Sequence, residues 1–280
     1  MTAHASLQPP FPSTATRSGI PISRFLTAAL VLGAVLSGVS FACFSAFICI
    51  VPYDDEGVVL LFVQHMLDGH TIYDRVNCLY GPFYLFLRWL VFGVLRVPLG
   101  NDALRIESLV TWLLTTLLLA MTASRLAGRL ASRVGLTALV WILSVCQLFV
   151  LSREPGHPQE VVALLLAAAL YVAATMERRR IALLVLGGLG AAMALTKVNV
   201  GVFYLLGLAL TLLTLTPRSS RLWYLLRCAS VALPLMLMRS RFGDGYGGFC
   251  FLVTCALLPG LALACVRVPP GTVGLKEILW

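Results

Sequence analysis

The chain has 280 residues, 59% of them hydrophobic and 12% charged, with a mean hydropathy of +0.92. An ordinary water-soluble domain carries about a quarter charged residues, so this composition excludes one and makes lipid part of the solvent. A formal net charge of +9 would suggest nucleic acid in a soluble protein; here the basic residues punctuate apolar runs, so no nucleic acid is expected and membrane lipids take its place.

Residues 1–22 are rich in Pro, Ser and Thr and are expected to be a disordered cytoplasmic N-terminus. The apolar run that follows is too long for a signal-peptide core and reads as a retained first helix. Long apolar runs near residues 25–51, 106–124, 134–151, 160–176, 181–195, 200–216, 222–238 and 249–266 are eight candidate spans. The expected fold class is therefore all-α: a polytopic transmembrane helical bundle with about eight spans. Its main domain covers residues 23–268, followed by a tail over 269–280. Most of the 8 cysteines, among them Cys43, Cys49, Cys146 and Cys255, lie inside apolar runs. No two are spaced as CxxC, so they read as packing groups and not as a disulfide or metal framework.

A further apolar run, Pro82 to Leu95, decides the topology, because counting it as a crossing reverses every later loop. It is short and carries Arg88 in its middle, which fits an interfacial or re-entrant helix. With this run off the crossing list, one face collects Arg24, then Arg125, Arg129 and Arg133, then Arg178 to Arg180, then Arg218 and Arg221, and Arg267. The positive-inside bias makes that face cytoplasmic. The opposite face holds a first external loop over 52–105 and the short loops SREPGHPQ, TKVN and RSRFGDGYGG.

The first external loop opens Val51-Pro52-Tyr53-Asp54-Asp55-Glu56-Gly57, three successive carboxylates at the membrane boundary. Helix capping accounts for one of them, since an Asp before an apolar run accepts hydrogen bonds from free N–H groups and complements the helix dipole. The segment from Glu56 to Asp68 is expected to lie on the membrane surface. Glu56, Gln64 and Asp68 would share its wet face, and Val59, Phe62, Val63 and Met66 would supply its apolar one. Two membrane-surface helices, 56–68 and 82–95, are thus expected between the first two spans.

This order is an apolar span, an acidic triplet, an amphipathic helix ending Met66-Leu67-Asp68-Gly69, Tyr73, then Tyr80-Gly81-Pro82 leading a second apolar helix. It resembles the first third of the GT-C glycosyltransferases. The bacterial branch with the lipid A aminoarabinose transferases and the protein O-mannosyltransferase-like enzymes is the most similar. Leu195-Thr196-Lys197-Val198-Asn199-Val200-Gly201 also resembles a recurring segment of that branch, and the likeness covers residues 25 to about 216.

The resemblance implies an inverting membrane enzyme of the inner (cytoplasmic) membrane with its active site on the noncytoplasmic face. Its donor would be a polyprenyl-phosphate-linked sugar and its acceptor a lipid or a glycan. Asp55 best matches the family's acidic residue, with Asp54 as the alternative and Glu56 beside them. A carboxylate within hydrogen-bonding reach can take the proton of an acceptor hydroxyl as the bond to the sugar forms. The leaving phosphate needs cations, for which Lys197, Arg153, Arg75 and Arg88 are the candidates on that face. A lone Lys at a helix end also snorkels to headgroups, and for Lys197 both readings stand. His157, Tyr80 and Asn199 would be near the substrate. The resemblance allows a divalent cation, Mg or Mn, to which His65, His70 and the acidic triplet could contribute, although no metal-ligand spacing is present.

Family members usually continue through further spans, and many end in a soluble external domain, whereas this chain stops at Trp280. A shortened member is therefore one expectation, and a noncatalytic truncated membrane protein is one alternative. A polytopic transporter is the other; it would place paired ionisable groups inside its spans.

Overall fold

The computed structural model describes residues 22–48, 56–71, 73, 78, 80–127 and 130–215. The acidic pair Asp54 and Asp55, Arg75, the two expected spans at 222–238 and 249–266, and the 269–280 tail lie outside them.

Among the described residues the structure is helical and contains no strand. The helices are α1 (Ile22–Ile48), α2 (Glu56–Leu67), α3 (Pro82–Arg88), α4 (Asn101–Leu126), α5 (Leu130–Gln147), α6 (Pro158–Thr175), α7 (Arg179–Thr196) and α8 (Val198–Leu215). A π-helical turn, Trp89–Val94, continues α3, and a 3₁₀ turn, Leu148–Arg153, continues α5. Among the described residues five helices are long and apolar enough to cross a membrane: Phe25–Ile48, Asn101–Leu126, Arg133–Val150, Pro158–Thr175 and Arg179–Thr196. The sixth expected span corresponds to α8, whose stretch Val198–Ala209 is apolar but shorter. Helices suit this chain because a backbone in lipid must satisfy its own N–H and C=O groups.

The bundle alternates up and down. Near its C-terminus α1 offers the carbonyl of Ala46 to Arg105 Nη1 at 3.0 Å, in the second turn of α4. The chain therefore leaves α1 and enters α4 at the same end, with both helices of the first loop between. The Pro82–Val94 unit has 7 α-helical and 6 π-helical residues, a rise of roughly 20 Å, against about 30 Å of bilayer hydrocarbon. It starts and finishes at that end and does not traverse the bundle.

Two apolar clusters hold this arrangement. Ala42 of α1, Trp112 and Ala120 of α4, and Trp141 and Val145 of α5 form the bundle's core. Trp141 Nε1 also donates to the Ala34 carbonyl at 3.2 Å. The second cluster joins the first-loop helices to the bundle: Val59 and Val63 of α2, Cys78, Tyr84 and Leu85 of α3, Phe92, Leu104 of α4 and Val161 of α6. Helix α3 reaches further, to the end of α7. The Gly81 N–H donates to the Thr196 carbonyl at 3.1 Å. A Cβ at Gly81 would lie 2.0 Å from the Leu195 carbonyl oxygen, so this contact requires glycine.

One sequence expectation is corrected here. Gln64 and Asp68 do share an exposed face, joined by a 2.9 Å hydrogen bond. Glu56 does not join them. It is buried with Val59 and Val63, at i, i+3 and i+7, because α4 presents it with a guanidinium.

Candidate functional site at the loop end

Three connections meet at the end where α1 finishes and α4 begins: the first loop, the 3₁₀ turn with Glu154–His157, and the single extended residue Lys197 between α7 and α8. Pro158 at the first position of α6 ends the second connection, its missing N–H being one that helix starts leave unpaired in any case. His157 caps that helix, its Nδ1 accepting from the Gln159 N–H at 3.3 Å.

Tyr80 is the meeting point. Its ring stands edge-on to the rings of His157 at 5.9 Å, Tyr84 at 5.3 Å and Phe62 at 6.0 Å. Its carbonyl accepts from the Tyr73 hydroxyl at 2.6 Å. Burial raises the Tyr73 phenol above its usual pKa, and the Cys78 thiol reinforces this. One residue further on, Gly81 rests on the α7 terminus beside Lys197. Two predicted residues from two loops, Tyr80 and His157, are thereby in ring contact, and the backbone beside a third, Lys197, packs on Gly81 next to them. Asn199 lies exposed in the first turn of α8, its Oδ1 accepting from the Val200 N–H at 2.9 Å. Arg153 is exposed and stacks over Phe149 at 5.4 Å.

Two other predicted residues are buried in ion pairs. Glu56 accepts from Arg105 Nε at 3.1 Å and Nη2 at 2.8 Å, a fork that holds the start of α2 against α4. Arg88, 1% exposed, pairs through Nη1 with Glu107 of α4. Its Nη2 donates to the Gly156 carbonyl at 2.9 Å, and its guanidinium lies 4.8 Å from the centre of the Tyr84 ring. The Tyr84 hydroxyl donates to the same carbonyl. On the other side of Gly156, its N–H donates to Ser108 Oγ at 2.7 Å and to Glu160 Oε1 at 3.3 Å. Ser108 Oγ in turn donates to Glu160 Oε2 at 2.9 Å.

Sequence reasoning missed Tyr84, Arg105, Ser108 and Glu160. The available signal was an unusual density of polar residues inside apolar helices, with Arg105, Glu107 and Ser108 in a single turn of α4. Among the described residues no three His, Cys, Asp or Glu side chains are grouped to hold a metal, although the rings of His65 and His70 lie 5.4 Å apart.

Among the described residues, the fold and this end define an all-helical bundle with five candidate membrane-spanning helices and a polar, aromatic face where its loops converge. Comparison with protein-family models, with curated proteins and with solved structures gives no match.

Proposed function

We propose that the chain is a membrane glycosyltransferase of the GT-C type. It would transfer a sugar from a polyprenyl-phosphate donor to a lipid or glycan acceptor on the noncytoplasmic face. The observation that carries this reading is the convergence of Tyr80, His157 and the Lys197 turn from three separate loops. Aromatic rings beside hydrogen-bonding groups suit a sugar, and a cation at a helix end suits a phosphate at headgroup depth.

In this reading Asp55, with Asp54 as the alternative, accepts the proton of the acceptor hydroxyl as its oxygen bonds to the anomeric carbon. The bond from that carbon to the phosphate oxygen breaks, the electron pair leaves with the phosphate, and a single displacement inverts the anomeric centre. Lys197 and Arg153 offer charge to the departing phosphate, and Arg75 is a further candidate from the sequence. Glu56 and Arg88 serve differently, because each is committed to a buried ion pair: Glu56 anchors the helix that directly follows Asp54 and Asp55, and Arg88 anchors a neighbouring loop. A divalent cation at the acidic triplet belongs to the same proposal.

The test is sugar transfer by the purified, reconstituted protein from a panel of polyprenyl-phosphate-linked sugars, read as labelled lipid or glycan product. Absence of transfer from every donor by monodisperse protein would overturn the reading. A transporter is the second reading, favoured by the Arg88–Glu107 pair and Glu160 lying within apolar helices. It would show instead as solute uptake by proteoliposomes without covalent product.

A further inference from the structure

Gly156 has both of its backbone polar groups captured by side chains, three of them from distant parts of the chain and one from the first turn of α6. Its carbonyl takes Tyr84 and Arg88 from α3, and its N–H takes Ser108 from α4 and Glu160 from α6. Its φ of +80° is a conformation that favours glycine, and a Cβ there would lie 2.7 Å from Leu104 Cδ1 in the core. The next residue is His157, whose own N–H donates to the Glu154 carbonyl at 3.1 Å and whose ring meets Tyr80 at 5.9 Å.

We propose that Arg88, Glu107, Ser108 and Glu160 form a clamp on Gly156 that fixes His157 against Tyr80, which makes them positioning residues for that face. A peptide unit gripped at both N–H and C=O has one orientation, and the residue after it inherits that orientation. Helix stability alone explains less. The start of α6 already has a capping side chain in His157 and a proline at its first position, whereas Glu160 reaches back past both to Gly156. Arg88 is likewise more than half of an ion pair: Glu107 neutralises it, so that a strong donor can stand 1% exposed and reach the carbonyl. A positive-φ glycine, a tyrosine hydroxyl, a serine hydroxyl, a guanidinium and a carboxyl group thus converge on a single peptide unit.

The inference rests on the proposed substrate face, yet its test needs no sugar transfer, so the two can fail separately. In a cysteine-free background, the pair Tyr80→Cys with His157→Cys is cross-linked by a short bismaleimide in the folded, detergent-solubilised protein. Phe41→Cys with Phe149→Cys, whose rings lie 5.7 Å apart, is the reference pair. Arg88→Met and Glu160→Leu should each slow the Tyr80/His157 cross-link by roughly tenfold or more, as misplacement of about an ångström does to a reaction. The reference pair should be unchanged. Glu160→Gln keeps the acceptor for Gly156 and should restore the rate, which separates the hydrogen bond from the charge. Unchanged cross-linking in both Arg88→Met and Glu160→Leu would overturn the clamp. So would an equal fall in both cysteine pairs, because that assigns these residues to the bundle as a whole.

Discussion

Arg105 of α4 holds Glu56 of α2 in a two-pronged buried ion pair, with Nε at 3.1 Å and Nη2 at 2.8 Å, while its remaining Nη1 donates to the end of α1. One guanidinium thus fastens three helices at the point where the first loop leaves the bundle. Removing one partner of a buried pair leaves the other charge uncompensated, at a cost of about 3–5 kcal/mol. Arg105→Met and Glu56→Gln are therefore each predicted to lower stability by that order, because each leaves the other side chain's charge buried without its partner. Unfolding of the purified protein in mixed detergent micelles checks this, together with the Arg105→Met/Glu56→Gln double variant. Additive losses would show that the two side chains do not act as a pair.

That pair also marks where the sequence stopped being legible. Apolar length and charge spacing were enough to place α1, α4, α5, α6 and α7, because lipid demands continuous apolar helices. They also placed two short helices in the first loop and kept Pro82–Val94 from being a crossing. The partners of the buried charges were not readable. Glu56 and Arg105 are 49 positions apart, and Arg88 and Gly156 are 68 apart. No local period encodes such meetings; they follow from which helix ends pack together. Position along α2 could have warned that Glu56 sits with Val59 and Val63, since eight residues separate it from Gln64 and the helix drifts by about 80° over that interval. Tyr80, His157 and Lys197 were legible as individual polar residues at loop ends, and their convergence required the α3–α7 contact at Gly81.

The orientation of the bundle gives a second prediction. The exposed arginines Arg125, Arg133 and Arg178 to Arg180 lie at helix ends opposite the Tyr80 face. The positive-inside bias then predicts that the Arg178 to Arg180 turn is cytoplasmic and Asn199 external. Single cysteines at Asn199 and Arg179, in a background without other cysteines, are labelled in intact cells with a membrane-impermeant maleimide. Labelling of Asn199→Cys alone is the expected result. Selective labelling of Arg179→Cys would invert the bundle and remove the external site.

Lys197 interrupts α7 and α8 with one extended residue, φ −148° and ψ 100°, half-buried beside Gly81. If it holds the carrier phosphate, Lys197→Ala should weaken binding of a short-chain polyprenyl phosphate more than Lys197→Arg, which keeps the charge but changes its geometry. Titration of the reconstituted variants with that ligand measures the difference. Equal binding by the wild type and Lys197→Ala would leave Lys197 as a side chain that only carries its charge to the headgroups.

The last prediction concerns Asp55, one residue before the start of α2 and directly before the anchored Glu56. The hypothesis that it is the acceptor-activating base is motivated by its match to the acidic residue of the GT-C family and by this place in the sequence. Asp55→Asn keeps size and capping ability, since Asn caps a helix about as well as Asp, and it removes only the basic carboxylate. The variant should therefore fold and purify as the wild type does. Its transfer rate should fall by about 10²- to 10⁴-fold, the usual contribution of a general base, with a smaller loss for Asp54→Asn. Glu56→Gln should behave differently from both, losing stability through Arg105 before it loses turnover. The measurement is initial transfer rate from a purified polyprenyl-linked donor, with monodispersity in detergent monitored for each variant. A monodisperse Asp55→Asn protein with near-normal turnover would remove Asp55 from the mechanism. The same outcome for Asp54 would leave the acidic run with the anchoring of α2 and the capping of its N-terminus, and nothing catalytic.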